Sequence, residues 1–418
     1  MVAEPAQYVL RVLVVRTCND DGATLCSNAT KADVQESLHV ANAINVRSNS
    51  GIKFELDPQS DFTGHVNSTL LNQDCIVPGG VTPELMTKQD VNNDGKVGDA
   101  ADANLVCDFA TPNAARAAFA LQYPHRIVVF SRTQALKAIW DDATKHWTVQ
   151  NQDETHSACE GVFIAMNESF RETDVPDKRF AHEAGHYLCS PHTFGPQPAD
   201  LPAAIDIIKN YVGTNKAIRD NQSLVLKVFD PDVAFQIFDT KPDPFIWLYQ
   251  SVFHTEQTWR GDPAHGNWCP PGQNVIKFDV TYPPDKKKFT YKFETDKTNV
   301  MSYFFCSPEK QHFSPGQVAR HIATLTGVRR HLLEDDRTPC YSDKGLTKTP
   351  AGLSFIDLVS YRARIVAECT LAPRRLRPGE INMVDRYVNN PGEVLNRTLV
   401  EIRQQHPARM LVPSAVAH

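Results

Sequence analysis

Three histidines stand close together in the stretch FAHEAGHYLCSPHTFG at residues 180–195: His182, His186 and His192, with Glu183 directly after the first. On a helix of 3.6 residues per turn, His182 and His186 lie about 40° apart on one face, so both imidazoles can reach a single ion. Were the helix to continue, His192 would lie roughly 9 Å beyond His186, whereas a Zn–N bond spans only about 2.0–2.1 Å. The helix must therefore end between them. Pro191 fits that end, because it lacks an N–H and pushes Ser190 out of the α region. The chain can then double back and offer His192 from below the other two.

Glu183 points about 100° away from His182 on the same helix, which suits it poorly as a fourth ligand and well as a base beside a zinc-bound water. A three-histidine zinc site keeps one coordination position open and lowers the pKa of water towards neutrality, so a neighbouring carboxylate can take its proton. That is hydrolytic chemistry. HExxH alone also occurs on ordinary helices; the third histidine after a break is what singles this stretch out.

HExxHxxxxxH resembles the zinc signature of the metzincin metallopeptidases, a clan that also carries a methionine turn. TNVMSYFF at 298–305 looks like that turn. Within the clan the chain is most similar to the pappalysins: HEAGHYLCSPHTF, NVMSYFFC and HFSPGQVAR follow that family's pattern in order, and the resemblance covers roughly residues 5–335. It implies a mixed α/β (α+β) catalytic domain with a twisted sheet over an active-site helix and a helical lower subdomain. It also implies Zn2+ on His182, His186 and His192, Glu183 as general base and acid, Met301 as the floor under the metal, and Tyr303 as a phenol stabilising the oxyanion. A disulfide between Cys269 and Cys306 follows from the same resemblance. Protein or peptide substrates are the expected partners. Taken alone, Met301 and Tyr303 would be ordinary core residues.

The chain departs from the family at Cys189, where glycine is usual because the turn wants a positive φ. Cysteine in that conformation costs about 1 kcal/mol or slightly more, which a folded core can absorb. A soft His/His/Cys centre is the other reading of Cys189, but on a continuing helix it would sit about 4.5 Å above His186 on a short side chain. A disulfide partner or a buried thiol accounts for it more simply.

The 418 residues are 41% hydrophobic and carry a net charge of −6. No apolar run approaches the 18 or more residues of a membrane span. The mild acidity argues against a general nucleic-acid surface. Ten cysteines point to an oxidising compartment, and five Asn-x-Ser/Thr sequons, at Asn28, Asn67, Asn167, Asn221 and Asn396, permit glycosylation. A secreted, extracellular protein is expected. The opening MVAEPAQYVLRVLVV lacks a basic leader region and reads as a strand, so a mature form without a latency propeptide is expected. Oligomeric state is not legible.

Along the chain, YVLRVLVVRT, GIKFELDP, HRIVVFSR and CEGVFIAMN read as strands and KADVQESLHVANAINVRS as an amphipathic helix. The upper catalytic subdomain is expected at 1–195, with Gly161 to Asn167 as the cleft-edge strand that holds an extended peptide. An inserted lobe at 74–108, flanked by Cys75 and Cys107, carries the D-x-N-x-D-G opening of a calcium loop at Asp90, Asn92, Asp94 and Gly95. Lys96 falls at the backbone-ligand position. The closing position 12 is Ala101, with Asp102 one place late and Asp99 at position 10, so Ca2+ competes with a solvated acidic turn. A lower subdomain at 196–335 contains helical patterns (AAIDIIKNYV, QSLVLKVF), the methionine turn and a helical run opening at Ser314 and Pro315. His254, His265 and His312 are simplest as surface or supporting histidines. A helical C-terminal module occupies 336–418, where Cys340 and Cys369 are close enough to pair. Pairing Cys18 with Cys26 and Cys159 with Cys189 would use the remaining thiols.

Besides the secreted zinc endopeptidase, two readings stay open. In one, the chain is a non-catalytic, metal-stabilised interaction protein with a relic zinc site, for which Glu183 and Tyr303 would be superfluous. In the other, a glutamate is the third ligand and His192 is dispensable.

Overall fold

The computed structural model describes residues 8–333, except 76–85, 96–99, 124, 134–135, 142–143, 152–154, 160, 168–177, 196–197, 199, 231–236, 238, 245–247, 249–274, 284–285 and 305–306. Outside the described residues fall Lys96, Asp99, His254, His265, Cys269, Cys306 and the C-terminal module with Cys340 and Cys369.

The fold is α/β. Strands β1 (Tyr8–Cys18), β2 (Ile52–Leu56), β3 (Val66–Asn67), β4 (Ile127–Arg132), β5 (Leu136–Asp141), β6 (His146–Asn151) and β7 (Phe163–Asn167) occupy its first half. The main sheet runs β2-β1-β4-β7 with every pair parallel, and β3 adds to the end of β1. All six residues of β4 are buried, as a central strand covered on both faces requires.

One face of the sheet packs against the helix Lys31–Arg47 and the histidine helix Arg179–Tyr187, joining Val12, Val14, Val129 and Ile164 to Leu38, Ile44, Phe180 and Ala184. The opposite face packs Leu13, Val15, Phe130 and Phe163 against Ala117 and Ala120 of the helix Ala110–Ala120. The Lys31–Arg47 helix opens in a capping box, with Thr30 accepting from the Asp33 N–H and Asp33 reaching back.

The inserted segment builds a small core of its own, in which Val91 and Val106 meet Ala138 and Trp147 of the β5–β6 hairpin. Cys75 and Cys107 are bonded beneath it. The lower part is organised by a second antiparallel hairpin, β8 (Val275–Tyr282) and β9 (Lys287–Glu294). Its inward residues Phe278, Val280, Tyr291 and Phe293 pack against Ile208 and Val212 of the helix Leu201–Val212.

Two expectations need correction. The stretch 161–167 is not the cleft edge: β7 pairs with β4 on one side, and on the other Ala165 exchanges both backbone hydrogen bonds with His156, at 2.9 and 3.0 Å. The outer position belongs to the antiparallel stretch around His156. Among the described residues that stretch makes one bridge to β7, which leaves no hydrophobic alternation to read, whereas β7 itself is an apolar run. The helical run from Ser314 is also shorter than its pattern: the helix Pro315–Thr326 stops at Gly327, and Arg330–Leu333 forms a 3-10 turn. Its start agrees with the expectation, since Ser314 and Gln317 form a capping box with Pro315 in the first turn.

Candidate metal centre

The histidine helix ends just after His186 because the chain turns left-handed at Cys189, whose φ is +70°. The Ser190 N–H reaches the Gly185 carbonyl at 2.8 Å and the Cys189 N–H reaches the His186 carbonyl at 2.9 Å, the paired bonds of a Schellman cap. Cys189 is bonded to Cys159. The disulfide thus ties the strained turn to the loop before β7, and Arg329 holds that loop from the other side by donating to the carbonyls of Cys159 and Gly161 at 2.8 and 2.7 Å. Cys189 is a structural residue, not a metal ligand.

The reversal brings three imidazole nitrogens together. The Nε2 atoms of His182, His186 and His192 form a triangle with sides of 3.0, 3.1 and 3.2 Å. Its circumradius is about 1.8 Å, so one ion at the usual Zn–N length of about 2.0–2.1 Å touches all three.

The far nitrogens of His182 and His186 are engaged. Nδ1 of His182 lies 2.8 Å from the Val300 carbonyl, and Nδ1 of His186 lies 2.8 Å from the Ser190 carbonyl. A carbonyl only accepts, so these Nδ1 atoms carry the protons and the Nε2 lone pairs face the centre. Burial, then the charges of His186, His192 and Lys178, holds His182 well below the ordinary histidine range. Burial lowers His186 to about 4, and burial with His186 and Lys178 lowers His192 to about 3. All three rings are therefore neutral near pH 7, the state that ligates a cation.

Glu183 is buried, and its Oε1 accepts a 2.8 Å hydrogen bond from the Thr155 hydroxyl, next to His156 on the outer antiparallel stretch. The Tyr303 ring lies 4.8 Å from His192 and 4.8 Å from Phe194, while Phe194 stacks on His192 at 4.4 Å. Met301 is fully buried below the helix. A Cβ on Gly185 would meet its Sδ at 2.5 Å and Phe313 Cε1 at 3.1 Å, so the glycine of HEAGH lets the methionine turn close against the helix.

Several supports carry no sequence signal. Asp243, buried, accepts from Thr193 Oγ1 at 2.9 Å and Ser302 Oγ at 2.7 Å, joining the loop after His192 to the methionine turn. Asn299 pins the same turn to Gln317 at 3.0 Å. His321 meets the Ser190 hydroxyl at 2.8 Å, behind the carbonyl that orients His186. Lys178 and Thr155 stand in stretches without periodicity. Nothing in their spacing announces them.

The described part of the calcium loop adopts the expected turn through backbone hydrogen bonds. Asp90 accepts from the N–H groups of Asp94 and Gly95 at 3.1 and 3.0 Å, and Gly95 has φ +84°. Asn92 also accepts from Asp94, at 3.0 Å. Asp102, fully buried, closes the loop by accepting from the N–H groups of Val91 and Asn92 at 2.6 and 3.0 Å. The trios whose ligand atoms lie within 4.8 Å among the described residues are the histidines and Cys18, Cys26 and His65, the two cysteines of which are bonded to each other. No helix among the described residues is long and apolar enough to cross a membrane.

No family model matches the chain, and no curated protein matches it.

Proposed function

We propose that the chain is a secreted zinc-dependent endopeptidase of metzincin type, most similar to the pappalysins. The observation that carries this reading is the Nε2 triangle of His182, His186 and His192 beside the buried carboxylate of Glu183. Zinc held there supplies Lewis-acid chemistry and lowers the pKa of water towards neutrality. Glu183, kept in place by Thr155, takes the proton of the attacking water and returns it to the departing amine. Tyr303, packed on His192, donates its phenol hydrogen bond to the oxygen that becomes negative, so the interaction strengthens as charge develops. An extended peptide lies along the outer stretch around His156, where backbone pairing holds the chain. Secretion is supported by the disulfides Cys18–Cys26, Cys75–Cys107 and Cys159–Cys189.

The test is zinc content and cleavage of denatured protein substrates, for the wild type and Glu183→Gln. Stoichiometric zinc in both, with cleavage reduced at least about 100-fold in the variant, is the expected result. Zinc in both with equal cleavage removes Glu183 from its role, and no zinc in the wild type refutes the metal centre.

A further inference from the structure

The histidine helix begins at a lysine that the proposed reaction does not use. Lys178 is 1% exposed, and its Nζ donates to the carbonyl oxygens of Asn299 at 3.3 Å, Ser302 at 2.5 Å and Phe304 at 2.6 Å. A buried ammonium is costly unless its three hydrogens find acceptors, and three carbonyl dipoles of one short turn meet that requirement. Those acceptors bracket Val300 and Met301. The carbonyl of Val300 receives the Nδ1 hydrogen bond of His182.

A closed mechanical loop results. The His182 N–H bonds the Lys178 carbonyl at 2.8 Å, so lysine and histidine are held one helical turn apart. The lysine side chain grips the turn, and the turn grips the histidine ring. On its other side the turn is pinned by Asn299 to Gln317 and by Ser302 to Asp243. Those side-chain pins hold the turn to the rest of the fold, whereas Lys178 holds it to the helix that carries two of the three histidines.

We propose that Lys178 is a positioning residue for the metal centre: its ammonium, caged by the carbonyls of Asn299, Ser302 and Phe304, sets the height of the methionine turn so that Val300 fixes the His182 ring for ligation. The proposal rests on the metal-site reading above. It assigns the site a cation that binds no substrate and no metal.

The experiment compares the wild type with Lys178→Met, which removes all three donors, and Lys178→Gln, which keeps two. Zinc affinity is read by competition with a chelator, the geometry of the centre by the visible spectrum of the cobalt-substituted protein, and folding by urea unfolding of the metal-free form. Lys209→Met, on the surface of the helix Leu201–Val212, is the control. Supporting partners of metal ligands typically contribute 10- to 100-fold to affinity. Lys178→Met is therefore expected to bind zinc about 10- to 100-fold more weakly, with a shifted cobalt spectrum, and Lys178→Gln to lose less. A folded Lys178→Met with zinc affinity within about twofold of wild type and an unchanged cobalt spectrum overturns the proposal. If that variant does not fold, the same two readouts on Lys178→Gln decide it. A wild type that binds neither zinc nor cobalt removes the metal-site reading and this proposal with it, whereas metal binding untouched by the substitutions removes the proposal alone.

Discussion

Replacing the cysteine pair at 159 and 189 separates two effects that coincide at the end of the histidine helix. The disulfide spans a sequence separation of 30, and closing a loop of that size in the unfolded chain is worth about 3.6 kcal/mol in the loop-entropy treatment. Cys189 also holds φ +70°, a conformation that costs a residue with a Cβ about 1 kcal/mol or slightly more and glycine almost nothing. Two double variants share the first loss and differ only in the second: Cys159→Ser with Cys189→Gly, and Cys159→Ser with Cys189→Ala. The alanine variant should unfold about 3.6 kcal/mol more easily than the wild type, and the glycine variant, which also relieves the strain, about 2.6 kcal/mol. The glycine variant should be the more stable of the two by about 1 kcal/mol, although inside a helix alanine beats glycine by a similar amount. Urea unfolding of the metal-free proteins under one set of conditions gives the difference directly, and the shared disulfide term cancels in it. An alanine variant as stable as the glycine variant, or more so, would refute the left-handed cap and with it the argument that the cysteine bond keeps a strained turn in place.

Gly185→Val places two methyl groups where even a Cβ meets Met301 Sδ at 2.5 Å, and overpacking of this kind costs roughly 1–3 kcal/mol. Lower zinc stoichiometry and a lower unfolding midpoint are expected; an unchanged midpoint contradicts the close approach. Burial lowers His186 to about 4 and His192 to about 3, so between about pH 6.5 and pH 4 the unfolded chain binds protons that the folded chain refuses. The metal-free protein should lose stability as pH falls through that window, a loss that His186→Gln reduces. His312 has the opposite sign: its hydrogen bond to Asp296, at 3.2 Å, raises it, so its contribution is complete below about pH 6.5 and disappears as pH rises through the folded value. Asp102→Ala removes the acceptor of two backbone N–H groups from a fully buried position and should open the inserted lobe by roughly 2–3 kcal/mol, read by hydrogen exchange at Val91 and Asn92. A calcium-induced rise in unfolding midpoint that vanishes in Asp90→Ala would assign the ion to that loop, and no rise in the wild type would leave it a hydrogen-bonded turn.

What could be read in the sequence was what depends on near neighbours along the chain. His182 and His186 follow from helical spacing, the end of the helix from Pro191, and the conformation of Cys189 from the glycine that the resembling family has at that position. Strands β1, β2, β4 and β7 follow from apolar runs. The β8 strand alternates strictly, with Ile276, Phe278, Val280 and Tyr282 inward, but its partner β9 is rich in lysine on the outer face, which masks the pairing in the sequence.

The supports of the centre lay beyond that horizon because each is made across a large separation. Lys178 reaches Ser302 over 124 residues, Asp243 reaches Ser302 over 59, and His321 reaches Ser190 over 131. A lysine four residues before a histidine looks like a solvated charge until the turn that buries it is in place, and the aspartate between Pro242 and Pro244 looks like a bend. The same contrast explains the misplaced edge. Apolar content tells how thoroughly a strand is covered, and β7 is buried on both faces, paired with β4 along its length and flanked at Ala165 by His156. The backbone that is available, around His156, is held by one bridge and by the Thr155 bond to Glu183, which places the outer stretch and the catalytic carboxylate of the proposed reaction in direct mechanical contact.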